Sequence, residues 1–411
     1  MANTYIGGSD GAGLFDPEHW TKQMQMTLFE ENQAMRVYNM DLRTELPKGT
    51  VIHKPYRGLS KVQTYTPGSD ITPSDVTATD DSITVNTTKV ISEYVDYVEE
   101  NQSLYGLGDN AAIRMQRQLN NNTEQAATAQ ITNAQTTLDD GDIGGTDGVN
   151  IVMSPSNIQK IFAAAGRSLD GYRNQQAGRY ARITPRALEN LRLFLGEKAS
   201  EEGRQVGADG LVMRRFGFDI FVSNNLYYTA SLSMVTIATA TDTISIAGVT
   251  FTADADGAAV GAGHFSIQTT ADLCRAQLTD AVNDTGTPGV DTFVQLAQAD
   301  REELRLRGVV ATNDNSADTM AIVAYGDIIV AEALTDTTDT WTATSSILNL
   351  EFGVAKKTIE VIESAVPRIR KVEDPDRIGY NVMGWTTRGV GIFTESKKSL
   401  VRVKVDGSVF V

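Results

Sequence analysis

Thirty consecutive residues, 109–138, contain neither glycine nor proline and are rich in Ala, Gln, Asn and Thr. Asp109 follows Gly108 directly and Gly141 comes soon after the stretch, which predicts a helix with Asp109 as its N-cap. At about 1.5 Å per residue this helix is roughly 45 Å long. Its apolar stripe is narrow (Ala111, Met115, Leu119, Ala126, Ile131), so we expect it to pack on a thin layer and not inside a globular core.

The stretch before this helix has a strand pattern interrupted by turn residues. Val51–His53 begins an extended run, and 83–91 is a second run rich in β-branched residues. Prolines and glycines occupy the segment between them (Pro55, Gly58, Pro67, Gly68, Pro73). The connection between the two runs is too long for a tight hairpin, so the pattern predicts a loop that projects. Loops of this size are usually functional or stabilised by another chain.

Charge is distributed unevenly along the chain. The net charge of −16 argues against a protein that wraps nucleic acid with its whole surface. Between Val235 and Ser345 there are 16 Asp and Glu against 4 Arg, and no lysine occurs between Lys198 and Lys356. From Gly353 to Val405 the balance reverses, with 11 Lys and Arg against 6 Asp and Glu. We interpret 235–345 as a compositionally separate, acidic unit.

The remaining pattern mixes helices and strands. Thr184-Pro185 predicts the N-cap and first residue of a helix, and Ser154-Pro155 predicts the start of another. Within the acidic segment, Ala247-Gly248 predicts a hairpin turn and 270–283 an amphipathic helix. We expect the strands and helix of this segment to pack mainly on one another, with its two ends close together.

The sequence offers little for catalysis or metal binding. Cys274 is the sole cysteine and falls on the apolar face of a predicted helix, so we expect a buried side chain and not a nucleophile. The three histidines (His19, His53, His264) have no metal-ligand spacing, and no phosphate-loop, nucleophile-elbow or zinc-protease motif occurs. We expect no enzyme activity, no metal and no cofactor. No apolar run long enough to span a membrane and no signal peptide is visible.

Four stretches carry a resemblance to a known family. They are Tyr65-Thr-Pro-Gly-Ser-Asp-Ile, Phe216-Gly-Phe-Asp-Ile-Phe-Val-Ser-Asn-Asn-Leu, Ala355-Lys-Lys-Thr-Ile-Glu-Val-Ile and Gly379-Tyr-Asn-Val-Met-Gly-Trp. In this order, following a projecting loop and a long helix, they resemble the major capsid proteins of tailed bacteriophages, which have the Hong Kong 97-type fold. The resemblance covers most of the chain apart from the acidic segment.

The resemblance implies an α+β fold with a fixed order of parts. These parts are an N-terminal arm (1–48), an extended β-loop (49–100), a spine helix of the peripheral domain (101–150), a first part of the axial and peripheral domains (151–234), an acidic β-rich insertion domain (235–345) and a return through the axial and peripheral domains (346–411). Because the arm begins close to Met1, we expect scaffolding to be a separate protein.

The implied function is that of a coat protein. Hexamers and pentamers would form an icosahedral shell around the double-stranded DNA of a phage, located in the virion and assembled in the host cytoplasm. Implied partners are other copies of the chain, a scaffolding protein, a portal, decoration proteins and packaged DNA bound non-specifically, with no membrane. The predicted intersubunit contacts on the loop are Arg57, Lys61, Tyr65 and Asp70. We expect the acidic segment on the outer face, away from the phosphates of DNA.

Two alternatives stay open at this stage. An encapsulin-type nanocompartment shares the fold and differs in its contents. From another class, an adhesin or carbohydrate-binding surface protein built of β-modules would account for the acidic segment alone.

Overall fold

A computed structural model describes residues 34–42, 50–71, 73, 75–103, 106–196, 214–342 and 345–407. Most of the predicted arm, 1–48, lies outside these residues. Within the described part of the chain there are seven α-helices. They are α1 (Ala34–Val37), α2 (Tyr97–Gln102), α3 (Leu107–Thr128), α4 (Ile158–Gly171), α5 (Pro185–Gly196), α6 (Ala271–Asn283) and α7 (Gln298–Leu306).

The described residues also contain 21 strands, arranged in five sheets. In chain order the strands are β1 (Val51–His53), β2 (Tyr56–Arg57), β3 (Ala78–Thr79), β4 (Ser82–Thr84), β5 (Thr87–Asp96), β6 (Thr136–Leu138), β7 (Arg179–Ile183), β8 (Arg214–Arg215), β9 (Phe218–Val222), β10 (Tyr227–Ser233), β11 (Thr243–Ile246), β12 (Val249–Asp254), β13 (His264–Ser266), β14 (Val310–Asp314), β15 (Thr319–Tyr325), β16 (Val330–Ala333), β17 (Thr340–Trp341), β18 (Ile347–Val354), β19 (Glu360–Glu373), β20 (Gly379–Gly391) and β21 (Leu400–Asp406).

The largest sheet has ten strands and contains the main core. Its path runs β14-β15-β10-β18-β7-β9-β8, with β17 paired to β10 and with β21 and β6 joined through β18. Helices α4 and α5 contribute the apolar side chains that pack on it. At the centre, the ring of Phe162 in α4 stands edge-on to Phe352 at a centroid distance of 5.1 Å, and Phe218 stands edge-on to Phe352 at 5.4 Å.

A separate three-stranded sheet, β19-β20-β5, supports the long helix α3 on one face. Met115 of α3 packs with Val95 of β5 and Val382 of β20. The buried Arg388 of β20 holds the helix further along, because its guanidinium donates to Thr123 Oγ1 at 2.5 Å and to Asn122 at 2.6 Å. This thin layer agrees with the narrow apolar stripe of the helix.

The boundaries of this helix differ from the prediction. Asp109 is not the N-cap: the helix begins at Leu107, and Gly106 occupies the cap position without a side-chain hydrogen bond. The helix ends at Thr128, and a 3₁₀ turn over Ala129–Asn133 follows. Residues 136–138 form β6 because they pair in parallel with Val401–Val403. Tertiary pairing therefore overrides the helical propensity of the last residues.

Only some strands of the acidic segment, 235–345, pair with one another, and the others join the ten-stranded sheet. A four-stranded sheet, β13-β12-β11-β16, belongs entirely to it. Strands β14 and β15, however, extend the ten-stranded sheet, since β15 pairs with β10 along its whole length. The expectation that the segment packs mainly on itself is therefore wrong for 310–325 and for β17, because β10 pairs with both β15 and β17. Its ends are close together, as expected, since Val235 N donates to Asp339 Oδ1 at 2.7 Å.

Several locally determined elements agree with the sequence. The turn between β11 and β12 consists of Ala247 and Gly248, both at positive φ (56° and 83°). Thr184 Oγ1 accepts from Ala187 N at the start of α5, and Thr270 caps α6. Cys274 is fully buried, as predicted. The helix predicted from Ser154-Pro155 begins later, at Ile158, because Asn157 holds the preceding residues in a turn.

Candidate assembly surface

The described residues of the range 58–77 form a loop that extends from a narrow two-stranded base. β1 pairs with β4, and above them Tyr56 and Arg57 pair with Thr79 and Ala78. Among the described residues 58–77 no further strand pairing occurs. A tight turn at the far end is closed by Ser69 N donating to Thr66 O at 3.0 Å. We call 58–77 the tip loop.

The base of this loop is fixed to the rest of the subunit. Ile52, Ile83 and Val85 pack with Ile362 and Phe393 in a small apolar cluster. This cluster anchors the two strands against β19 and the end of β20, so the direction of the loop is set by packing.

Polar contacts add to this anchor. Thr394 N donates to Asp81 Oδ2 at 2.6 Å, and Lys54 N donates to the carbonyl oxygen of Asp81 at 2.7 Å. The Lys54 ammonium also lies 4.9 Å from the centroid of the Phe393 ring. The base is therefore bound to the subunit on both strands.

The tip loop itself exposes large apolar side chains. Leu59 and Val62 are each 94% exposed, Ile71 is 68% exposed and Tyr65 is 58% exposed. None of the four belongs to a core cluster of the described chain. Four such side chains on one loop leave a large apolar area in water in the isolated subunit, which is typical of an interaction site.

The four predicted contact residues all lie on or beside this loop. Arg57 is exposed on β2, and Lys61, Tyr65 and Asp70 are exposed on the tip loop. Tyr65 Oη accepts from Gly68 N at 3.4 Å, and neither Arg57 nor Lys61 makes an ion pair with the described residues. Whether these four residues contact a neighbour stays a prediction.

Sequence reasoning missed the apolar members of the surface. Leu59, Val62 and Ile71 stand among prolines, glycines and polar residues, so the sequence pattern predicts a turn-rich loop and does not indicate apolar contacts. One signal in the sequence could have indicated their exposure. No helical or strand periodicity surrounds these three side chains, so no helix or strand face would direct them towards a core.

A second exposed surface is the face of β19-β20-β5 opposite α3. Strand register places Arg368 beside Trp385, and Trp385 beside Val90, on this face. Val90 is 58% exposed, and a groove of about 380 Å³ is lined by Arg368, Ile369, Arg370 and Trp385. Neither Arg368 nor Arg370 pairs with a carboxylate of the described residues. We call this the open sheet face.

Chemical sites of other kinds are not seen in the part of the chain that the structure describes. No group of three or more His, Cys, Asp and Glu side chains there could hold a metal ion. No helix among those residues is long and apolar enough to cross a membrane. His264 contacts Asp254 at 2.8 Å, but no cysteine or serine completes a catalytic arrangement around this pair in the contacts of the described residues.

Comparison with known proteins shows the fold. No family model matches the chain, and no curated protein matches it. Solved structures do match over nearly the whole chain. The capsid of cyanophage P-SCSP1u has a TM-score of 0.55 at 11% identity, with 98% of this chain and 96% of that chain covered.

Two further structures give the same result. The mature capsid of bacteriophage PhiM1 has a TM-score of 0.53 at 11% identity, with 98% of this chain and 96% of that chain covered. A structure from Mycobacterium phage Che8 has a TM-score of 0.53 at 12% identity, with 94% and 96% covered. The predicted α+β, Hong Kong 97-type capsid fold is confirmed.

Proposed function

We propose that this chain is the major capsid protein of a tailed bacteriophage, which assembles as hexamers and pentamers into an icosahedral shell around double-stranded DNA. The observation that carries the proposal is the tip loop, a firmly anchored loop with four exposed large apolar side chains. The capsid fold supports it, since the chain matches phage capsid structures from end to end.

The exposed apolar side chains of the tip loop gain stability when another surface buries them. Complete burial of one large apolar side chain contributes about 1.5–3 kcal/mol. Leu59 and Val62 are almost entirely in water in the isolated subunit, so nearly all of this contribution becomes available on association. The function proposed is therefore mechanical: neighbouring copies bury the tip loop, and the shell gains its stability from that burial.

The open sheet face of a neighbouring copy is the receiving surface that fits the tip loop best. Trp385 and Val90 offer apolar area, and Arg368 and Arg370 complement Asp70 and Asp75 of the loop.

The basic residues of the loop have the reverse role, since Arg57 and Lys61 are free to pair with carboxylates of the neighbour. Each exposed pair contributes about 1 kcal/mol or less, so the charges set orientation more than affinity.

Further partners are proposed on the basis of the resemblance and the charge distribution. They are a separate scaffolding protein, a portal, decoration proteins and packaged DNA at the inner face, in a virion assembled in the host cytoplasm. The acidic 235–345 segment would face outward, because its 16 carboxylates against 4 arginines are repelled by DNA phosphates at short range. The six-part division of the chain is proposed with the amendment that 310–325 join the main sheet.

Sedimentation velocity of the purified chain tests the proposal. We expect particles far larger than the 44.5-kDa subunit for the wild type. The double change Arg57→Glu and Lys61→Glu should shift the protein from large particles towards single subunits. The control, Lys160→Glu with Arg192→Glu, makes the same change of charge at exposed positions of α4 and α5 and should leave the particles unchanged. Wild-type protein that sediments only as a single subunit would overturn the proposal, and nucleic acid inside native particles distinguishes a virus from an encapsulin.

A further inference from the structure

Residues 34–39 lie across the junction of α3 and the ten-stranded sheet, and we call them the strap. Lys356 N donates to Val37 O at 2.7 Å, and Asn39 exchanges two hydrogen bonds of 2.9 Å with Ile359 and Val361. Ala34, Val37 and Tyr38 are buried in a cluster that includes Ala127 and Ile131 of the helix region and Leu400 of β21. The strap therefore covers the buried side chains at this junction.

Beneath the strap lies a fully buried charge cluster centred on Arg182 of β7. Its guanidinium donates to Glu351 Oε2 of β18 at 2.9 Å and to Glu124 Oε1 of α3 at 3.0 Å, and all three side chains have no exposed area. The strap contributes two donors. Tyr38 Oη donates to Glu351 Oε2 at 2.7 Å, and Ala34 N donates to Glu124 Oε1 at 3.2 Å.

The two carboxylates are not equally satisfied. Glu351 accepts from Arg182, from Tyr38 and, at 2.5 Å, from the hydroxyl of Tyr180. Among the described residues, the hydrogen bonds of Glu124 are made at Oε1, and its buried Oε2 has no partner there within hydrogen-bond distance. Two carboxylates therefore surround one guanidinium, and the less satisfied of them is Glu124.

The other groups that face the cluster do not supply a second positive charge. Burial raises the pKa of Tyr38 and of Tyr180, so both hydroxyls stay neutral. Burial alone would lower the pKa of Arg182, but the neighbouring carboxylates of Glu351 and Glu124 outweigh it and raise that pKa, so the guanidinium stays charged. Thr128, Ser223 and Asn225 add only neutral groups.

With both carboxylates ionised, the fully buried cluster has a net charge of −1. Such a charge is costly in the interior, and binding one proton at the unpartnered oxygen of Glu124 removes it. The pKa of Glu124 is raised in accord with this: burial raises it, Arg182, the Ala34 N–H and Asn225 lower it, and Glu351 raises it.

We propose that the strap is a proton-coupled latch, in which docking of residues 34–39 closes Glu124 away from water and takes up a proton on its carboxyl group. This inference goes beyond the shell function and concerns the subunit itself. A carboxyl group whose pKa is raised in the docked state binds its proton more tightly there than in water. Docking is therefore favoured fully below the ordinary glutamate range, and the advantage is lost as the pH rises through the raised pKa.

Hydrogen exchange of the full-length chain tests the latch. The amides of Lys356, Asn39 and Val361 report strap opening, and amides of β10 and β15 serve as an internal reference. After correction for intrinsic rates, we expect strap opening to increase relative to the reference as the pH is raised from about 5 to about 8. The increase is bounded at about tenfold per pH unit, because one proton is released.

Two variants sharpen the test. Glu124→Gln keeps the shape and removes the titrating group, so strap opening should become independent of pH. Glu189→Gln, an exposed position on α5, should keep the wild-type slope. Strap opening in the wild type that does not change with pH relative to the reference would overturn the latch, and so would a slope that survives in Glu124→Gln. If that variant does not fold, the wild-type slope decides alone.

Discussion

The side-chain amide of Gln125 in α3 donates to the carbonyl oxygen of Leu306 at 3.0 Å, at the carboxyl end of α7. Asn121, one helical turn earlier, donates to the same oxygen at 3.2 Å. The spine helix therefore caps the last turn of a helix that belongs to the acidic segment. This relationship, together with β14 and β15 in the main sheet, shows that the segment is joined to its host at more than its two ends.

Replacing Gln125 by Ala should destabilise the subunit by about 0.5–1.5 kcal/mol, because the partly buried carbonyl oxygen of Leu306 loses one of its two side-chain donors. Urea unfolding followed by circular dichroism measures the change. Gln116→Ala, at an exposed position of the same helix, is the matched control and should be close to neutral. Equal midpoints for Gln125→Ala and the wild type would contradict a capping role.

Gly326→Ala should destabilise the chain by about 1–3 kcal/mol, the usual range for local backbone strain. Gly326 has φ at +102°, and an added Cβ would meet the carbonyl oxygen of Asn224 at 2.3 Å. Thermal unfolding should show the loss, while Gly171→Ala, where a Cβ meets nothing within 4 Å, should unfold near the wild-type temperature. Similar melting temperatures for both variants would show that the turn after β15 can relax.

Arg182→Met should lower the free energy of unfolding by about 3–5 kcal/mol near neutral pH, because it leaves the buried carboxyl groups of Glu351 and Glu124 without their cation. Adding Glu124→Gln should restore part of this loss, since one of the two buried acidic groups is removed. Denaturant unfolding of the single and double variants measures the coupling. Additive losses would argue that the two residues do not interact.

Arg368→Glu with Arg370→Glu should weaken assembly without unfolding the subunit, because both side chains are exposed on the open sheet face. If that face receives the tip loop, changing Asp70 and Asp75 to Lys in the same chain should recover assembly. Light scattering during assembly, with circular dichroism as the folding control, measures both effects. If the changes in the tip loop do not restore assembly, the open sheet face does not receive the tip loop.

Elements with local determinants were predictable from the sequence. The Ala247-Gly248 turn, the Thr184-Pro185 helix start and the Thr270 cap all depend on residues within one or two turns of chain. Helix α7 was missed because it is strongly polar, with Leu304 as its one buried side chain. The end of the spine helix was misplaced because residues 136–138 pair with strand β21, more than 260 positions away.

The tip loop and the buried Arg182 cluster also differ in how far the local sequence determines them. The exposure of Arg57, Lys61, Tyr65 and Asp70 follows from a turn-rich segment, and the sequence predicted the loop that holds them. The Arg182 cluster had no sequence signal. Its members come from positions 38, 124, 180, 182 and 351, and only the folded chain brings them together.

Negative-stain electron microscopy of the purified chain tests the central claim most directly, namely that the tip loop drives assembly into shells. We expect shells or ring-shaped capsomers for the wild type and single subunits for Leu59→Ser with Val62→Ser, because that change removes the two most exposed apolar side chains of the tip loop. Val260→Ser with Val290→Ser removes two exposed valines of the acidic segment and should assemble like the wild type. Wild-type fields that contain only single subunits, or normal shells from the tip-loop variant, would contradict the account.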